Sequence, residues 1–162
     1  MSTQARDDEG PAVSTVDVTD DAAQMASVLD TFFAAVSFPT GGRPDYSALP
    51  ELFSNGARLI KNSGDLPEIS TVDEFVAARQ QQVDSGELTS FEEVEVAHTT
   101  DVFGNVGQRF STYEKRGTIA GDTFGARGVI STQFIRTPAG WRISAMAWDD
   151  ERPGLSIPGR PR

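Results

Sequence analysis

The stretch from residue 88 to residue 150 limits what this chain can fold into more than any other. Apolar and polar side chains alternate there with period two, in four runs separated by short turn-forming breaks. Glu93-Val94-Glu95-Val96-Ala97-His98-Thr99 is the first run. Val106 to Arg116 follows a turn at Gly104-Asn105, and Phe124 to Thr137 follows one at Gly121-Asp122. Trp141 to Asp149 follows Thr137-Pro138-Ala139-Gly140. Consecutive strands joined by such short turns make an antiparallel meander. Gly107, Gly125 and Gly128 lie within or beside these strands, where a missing side chain permits bulges and bends.

The first half reads as helices. Ala22, Met25, Ala26, Leu29, Phe33 and Val36 form one apolar stripe at helical spacing. Thr19 or Asp20 is suited to cap that helix, and Pro39 with Gly41-Gly42 ends it. A short helix over 45–53 has Asp45 or Ser47 as its cap and Pro50 in its first turn. Ala57 to Lys61 is a strand, and Asn62-Ser63-Gly64-Asp65 a turn. Thr71-Val72-Asp73-Glu74 matches a capping box. The helix it opens carries Val72, Phe75, Val76, Arg79 and Val83 inward or along its edge and closes at Ser85-Gly86. Helices gathered on one face of an antiparallel sheet define an α+β domain. A bent sheet around those helices makes a cone with a cavity at its mouth.

The boundaries follow from composition. Residues 1–18 are mostly Ser, Thr, Asp, Gly and Pro with scattered valines, and read as a flexible acidic arm. The domain spans 19–155, and 156–162 form an irregular tail rich in Pro and Gly. The net charge is −10, of which −6 falls in residues 1–30. Such a chain repels phosphate backbones and anionic lipid, which argues against nucleic-acid and membrane partners. No basic-then-apolar leader opens the sequence, so the expected location is cytoplasmic. There is no cysteine and one histidine, which removes thiolate chemistry and any site needing two imidazoles, so no metal is expected. Neither phosphate-loop motif nor a GxSxG elbow is present, so no cofactor is expected.

The candidate chemistry is acid–base. Asp149, at the end of the last strand, is the first candidate base, because an apolar pocket would raise its pKa by desolvation. His98, on a face with Val94 and Val96, is the second. Tyr113 and Glu114 point to opposite faces, and the neighbouring Phe110 favours Glu114 inward. The candidate ligand contacts are Phe33, Tyr46, Phe53, Phe110, Glu114 and Trp148, around a small apolar or planar molecule. Arg127, Arg136 and Arg142 are candidates for clamping a carboxylate, or for cross-strand pairing with Glu93 or Glu95. On the last strand Trp141, Ile143, Ala145 and Ala147 share one face while Met146 and Trp148 share the other. Two apolar faces fit a sheet with a core on one side and a second copy on the other. The rival to an open pocket is one filled by Phe32, Phe33, Phe53, Phe75 and Phe110.

Arg109-Phe110-Ser111-Thr112-Tyr113-Glu114, Arg127-Gly128, Gly140-Trp141-Arg142-Ile143-Ser144 and Trp148-Asp149-Asp150-Glu151-Arg152-Pro153-Gly154 together resemble the C-terminal half of the nuclear transport factor 2-like superfamily. The likeness is to its SnoaL-like and uncharacterised bacterial members. The step Phe53-Ser54-Asn55-Gly56-Ala57 is similar as well. The resemblance covers roughly residues 20–155. It implies a cone-shaped cystatin-like α+β barrel, a homodimer packed through the sheet and an apolar pocket. Within that superfamily such a pocket serves cofactor-independent isomerases, dehydratases and cyclases, and also non-catalytic binders. No complete catalytic set of any one of them is present.

Overall fold

The computed structural model describes residues 15–159. Residues 1–14 of the expected arm and 160–162 of the expected tail lie outside the described residues. Helix α1 spans Thr15–Val36. It therefore begins inside the expected arm, and Thr19 and Asp20 fall within the helix rather than at its cap.

α1 lies in the hollow of the sheet. Met25, Leu29, Phe32, Phe33 and Val36 are buried on its inner side, as the helical stripe requires. A polar clamp fixes its N-terminal half. The carboxylate of Asp21 accepts from Trp141 Nε1 at 3.0 Å and from Arg136 at 2.6 Å. Arg136 also stacks over the Trp141 ring, 4.7 Å from its centroid. The hydrogen bond from Trp141 holds the Asp21 carboxyl below its ordinary value; burial opposes this and Arg136 reinforces it.

After α1, Phe38 exchanges backbone hydrogen bonds with Phe91 at 2.7 and 3.0 Å. Two 3₁₀ turns, Tyr46–Ala48 and Pro50–Leu52, stand where one short helix was expected. Asp45 occupies the cap position but makes no capping bond; its Oδ1 accepts from Ser47 Oγ at 2.5 Å. Strand β1 is Phe53–Lys61, β2 is Glu68–Thr71 and α2 is Val72–Asp84. The capping box forms: Glu74 N donates to Thr71 Oγ1 at 3.1 Å, and Thr71 N donates to Glu74 Oε1 at 3.3 Å.

The meander comprises β3 (Leu88–Phe103), β4 (Val106–Ile119), β5 (Asp122–Thr137) and β6 (Gly140–Asp150). The sheet order is β2-β1-β6-β5-β4-β3. The meander is antiparallel throughout, whereas β1 joins β6 in parallel, so the whole sheet is mixed. The class is the expected one, an α+β domain with a curved sheet around its helices.

Two bulges decide which side chains face the hollow. On β6, Gln133 pairs with Ala145 and Phe134 with Ile143, leaving Ser144 as an extra residue. Trp141 and Ile143 thereby join Met146, Trp148 and Asp150 on the inner face, while Ala145, Ala147 and Asp149 turn outward. On β3, Glu95 pairs with Tyr113 and Ala97 with Thr112, so Val96 is the extra residue. Glu93 and Glu95 lie on the inner side, and beyond the bulge His98 takes that parity, opposite the buried Ser111.

Candidate functional site

A cavity of about 390 Å³ opens between α1, α2, the first 3₁₀ turn and the inner face of the sheet. Its floor is buried and apolar, formed by Phe32, Val36, Ile130 and Met146. Phe75 of α2 meets Trp148 of β6 edge to face, at 6.3 Å between ring centroids. Phe91 and Phe124 form another wall, their centroids also 6.3 Å apart. Phenylalanines thus wall the space rather than fill it.

Four polar groups meet on one side. Glu93 and Lys115 stand opposite each other on β3 and β4. Lys115 donates to Asp150 Oδ1 at 3.0 Å. The Tyr113 hydroxyl donates to the same oxygen of Asp150 and lies 3.1 Å from the backbone oxygen of Asp149. Tyr113 reaches across β5 only because residue 128 is glycine, since a Cβ there would overlap the Tyr113 hydroxyl. Asp150 is therefore held by an ammonium and a phenol.

Glu93 is not held in this way. Its backbone N–H donates to Ser37 Oγ at 3.1 Å, but its carboxylate makes no hydrogen bond or ion pair among the described residues. Burial pushes its pKa up to about 7, against the lowering pull of Lys115 and Arg79 and with a further push from Asp150. Tyr113 is raised chiefly by burial and then by its bond to Asp150, so it stays a phenol.

Tyr46 is the second uncommitted group. The residue is 4% exposed, lines the cavity, and its hydroxyl has no protein partner among the described residues. Burial raises its pKa, opposed by the charge of Arg79, so it too remains a donor.

The sequence candidates divide. Tyr46 and Trp148 line the cavity. Phe33 and Phe53 are in the core beside it, linked through Phe32 by edge-to-face contacts at 5.7 and 6.2 Å. Phe110 and Glu114 face outward, contrary to the expectation for Glu114; the inner parity of β4 belongs to Arg109, Ser111, Tyr113 and Lys115. Asp149 also faces outward, paired with Arg152 at 2.7 Å, because the Ser144 bulge gives Asp150 the inner position. His98 is exposed and does not line the cavity. Glu95, on the same strand, has its carboxyl held below the ordinary value. Burial alone would raise that carboxyl, but hydrogen bonds from Arg109 and Ser111 outweigh it.

None of the three candidate clamping arginines lines the cavity. Arg127 sits 3.3 Å from Glu114, Arg136 binds Asp21, and Arg142 donates to the carbonyl of Trp141. Lys115 and Asp150 were not singled out, and Glu93 only as a cross-strand partner for an arginine. The available signal was parity: Lys115 shares a face with Tyr113, and Asp150 shares one with Met146 and Trp148.

No protein-family model matches the sequence, and no curated protein is significantly similar to it. Solved structures do match in shape. A nuclear transport factor 2-like superfamily protein of Salmonella enterica serovar Typhimurium superposes with a TM-score of 0.70 at 14% identity, covering 88% of this chain and 99% of that one. A protein from Novosphingobium aromaticivorans with the same likeness and a cystatin-like fold gives 0.68 at 16%, covering 90% and 92%. A hexachlorocyclohexane dehydrochlorinase of Novosphingobium barchaimii gives 0.70 at 10%, covering 86% and 92%.

Proposed function

We infer that this chain, which has the nuclear transport factor 2-like fold, holds a small molecule in its cavity and moves a proton on it. Glu93 is the base. The observation that carries this reading is an uncommitted carboxyl facing an apolar cavity, its pKa pushed up to about 7. A base poised near the working pH is what proton abstraction from carbon requires.

In the reaction that fits best, the Glu93 carboxylate takes a proton from a carbon next to a carbonyl. The C–H electron pair becomes a C=C bond, and the carbonyl electrons move onto oxygen. The Tyr46 hydroxyl donates a hydrogen bond to that oxygen as its charge develops. Returning the proton to another carbon gives an isomer. Delivering it to a β-hydroxyl releases water and gives a dehydration. Either way Glu93 ends as it began, and no electron acceptor is needed. The dehydrochlorinase neighbour performs an elimination by its name, which supports this reaction type on the same fold.

Deuterium wash-in from D2O into a panel of neutral and acidic cyclic ketones, followed by NMR, tests the reading. The wild-type protein exchanges the α-carbon protons, and Glu93→Gln slows this by roughly 10²–10⁴-fold. Exchange that survives Glu93→Gln overturns the role of Glu93. Binding without exchange leaves a non-catalytic ligand module.

A second copy of the chain is the proposed partner, seated on the outer face of the sheet. Phe110 is 57% exposed there, with Val94 and Val106 on the same face.

A further inference from the structure

The chain is acidic overall, with a net charge of −10, but its cavity is not. Lys61, Arg79 and Lys115 line it against two acids, Glu93 and Asp150, and these include both lysines of the sequence. Lys115 is committed to Asp150, and Lys61 lies 3.7 Å from Glu68 at the rim.

Arg79 differs from both. It stands one turn along α2 from Phe75, so the two share the inner side of that helix. Its guanidinium lies 5.3 Å from the Phe75 ring centroid. Its one side-chain hydrogen bond runs from Nη1 to Gln82 Oε1 at 3.4 Å. Among the described residues no carboxylate lies within salt-bridge distance of it. A half-buried guanidinium stacked on an aromatic ring, with most of its donors unused, is built to take a planar two-oxygen anion. Arg79 is also near enough to both uncommitted groups, Glu93 and Tyr46, for its charge to act on each.

We propose that the ligand of this cavity is a carboxylate with an apolar ring body, its anion docked on Arg79. This rests on the reading of the cavity as a small-molecule site and names the class of molecule it takes. The ring lies against Phe75 and Trp148. Docking the anion on Arg79 fixes which carbon of the ligand comes within reach of Glu93 and which oxygen meets Tyr46. Arg79 is then a specificity-determining residue: it selects acids over neutral analogues of the same shape.

Paired acids and amides test this: benzoate with benzamide, 2-naphthoate with 2-naphthamide, and indole-3-acetate with indole-3-acetamide. Binding is read by isothermal titration calorimetry. In the wild-type protein the best-fitting acid binds at least tenfold more tightly than its amide. Arg79→Gln weakens that acid about tenfold, leaves the amide unchanged, and so brings the pair near parity. Arg79→Lys, which keeps the charge but not the planar fork, retains only part of the preference. Equal affinity of acid and amide in the wild-type protein overturns the anion assignment and leaves the cavity reading standing. Equal weakening of both by Arg79→Gln does the same, since it marks a merely structural role. Failure of all six compounds to bind overturns the small-molecule reading itself, and the anion assignment with it.

Discussion

Lys115 faces Glu93 directly across the β3–β4 pair, yet gives its ammonium to Asp150, 3.0 Å away on β6. That choice divides the two acids of the cavity. Asp150 is occupied by Lys115 and Tyr113, and Glu93 is left with a carboxyl that burial makes hard to ionise.

Stability should therefore depend on pH through Glu93 in a definite direction. Its folded pKa of about 7 lies above the ordinary 4.5. Lys115, Arg79, Asp150 and Tyr113 are the charged and titratable groups acting on or beside it. A raised acid pKa means that the unfolded state gives up its proton first as pH rises. The stabilising preference for the neutral form is complete below about pH 4.5 and lost as pH rises through 7. The loss reaches up to roughly 3 kcal/mol. Denaturant unfolding at pH 5 and pH 8 should show this decline in the wild-type protein and much less of it in Glu93→Gln.

Gly128→Ala should be costly although Gly128 lies in an ordinary strand. The added Cβ overlaps the Tyr113 hydroxyl and the backbone oxygen of Asp149. A loss of about 1–3 kcal/mol is expected for such overpacking. Gly125→Ala, three strand positions from it on β5, meets nothing closer than the Lys115 carbonyl at 3.6 Å and should be nearly neutral. Thermal unfolding of the two variants checks the contrast.

Asp21→Ala should loosen α1 from the sheet. It leaves the buried Trp141 Nε1 and the Arg136 guanidinium without their acceptor. About 1–3 kcal/mol is expected, with Asp21→Asn milder because an amide oxygen still accepts from Trp141. Because the folded pKa of Asp21 is lowered, its contribution is present above the ordinary 3.8 and fades as pH falls below it. Urea unfolding of both variants at pH 7 and pH 3 reads the difference.

Phe110→Asp should leave the fold intact and, with a second copy seated on the outer face as proposed, shift the protein from dimer to monomer. The side chain is exposed on the outer face, so an added carboxylate costs little within one copy. It would be desolvated in an interface. Sedimentation velocity of the variant against the wild-type protein measures this; an unchanged oligomeric state would place any dimer contact elsewhere.

Much of the fold was readable because its signals are local. The Thr71–Glu74 capping box and the Gly104-Asn105 turn each act over a few residues. The parallel pairing of β1 with β6 joins residues some ninety positions apart and leaves no trace in alternation. The site was harder to read for a related reason. Side-chain parity carries along a strand only until a bulge, and one extra residue inverts everything beyond it. Ser144 does this on β6, placing Asp150 inside and Asp149 outside; Val96 does it on β3, taking His98 off the face of Val94. The pocket role expected for Glu114 rested on a single apolar neighbour, Phe110, which itself faces outward. The register instead puts Tyr113 and Lys115 inside.

The most direct measurement is a carbon-13 NMR titration of the side-chain carboxyls from pH 3 to pH 9, in the wild-type protein and in Glu93→Gln. One glutamate resonance titrating near pH 7, absent from the variant, is the expected result. If every glutamate instead titrates in the ordinary range around 4–5, Glu93 is fully ionised at neutral pH and the poised base at the centre of this account does not exist.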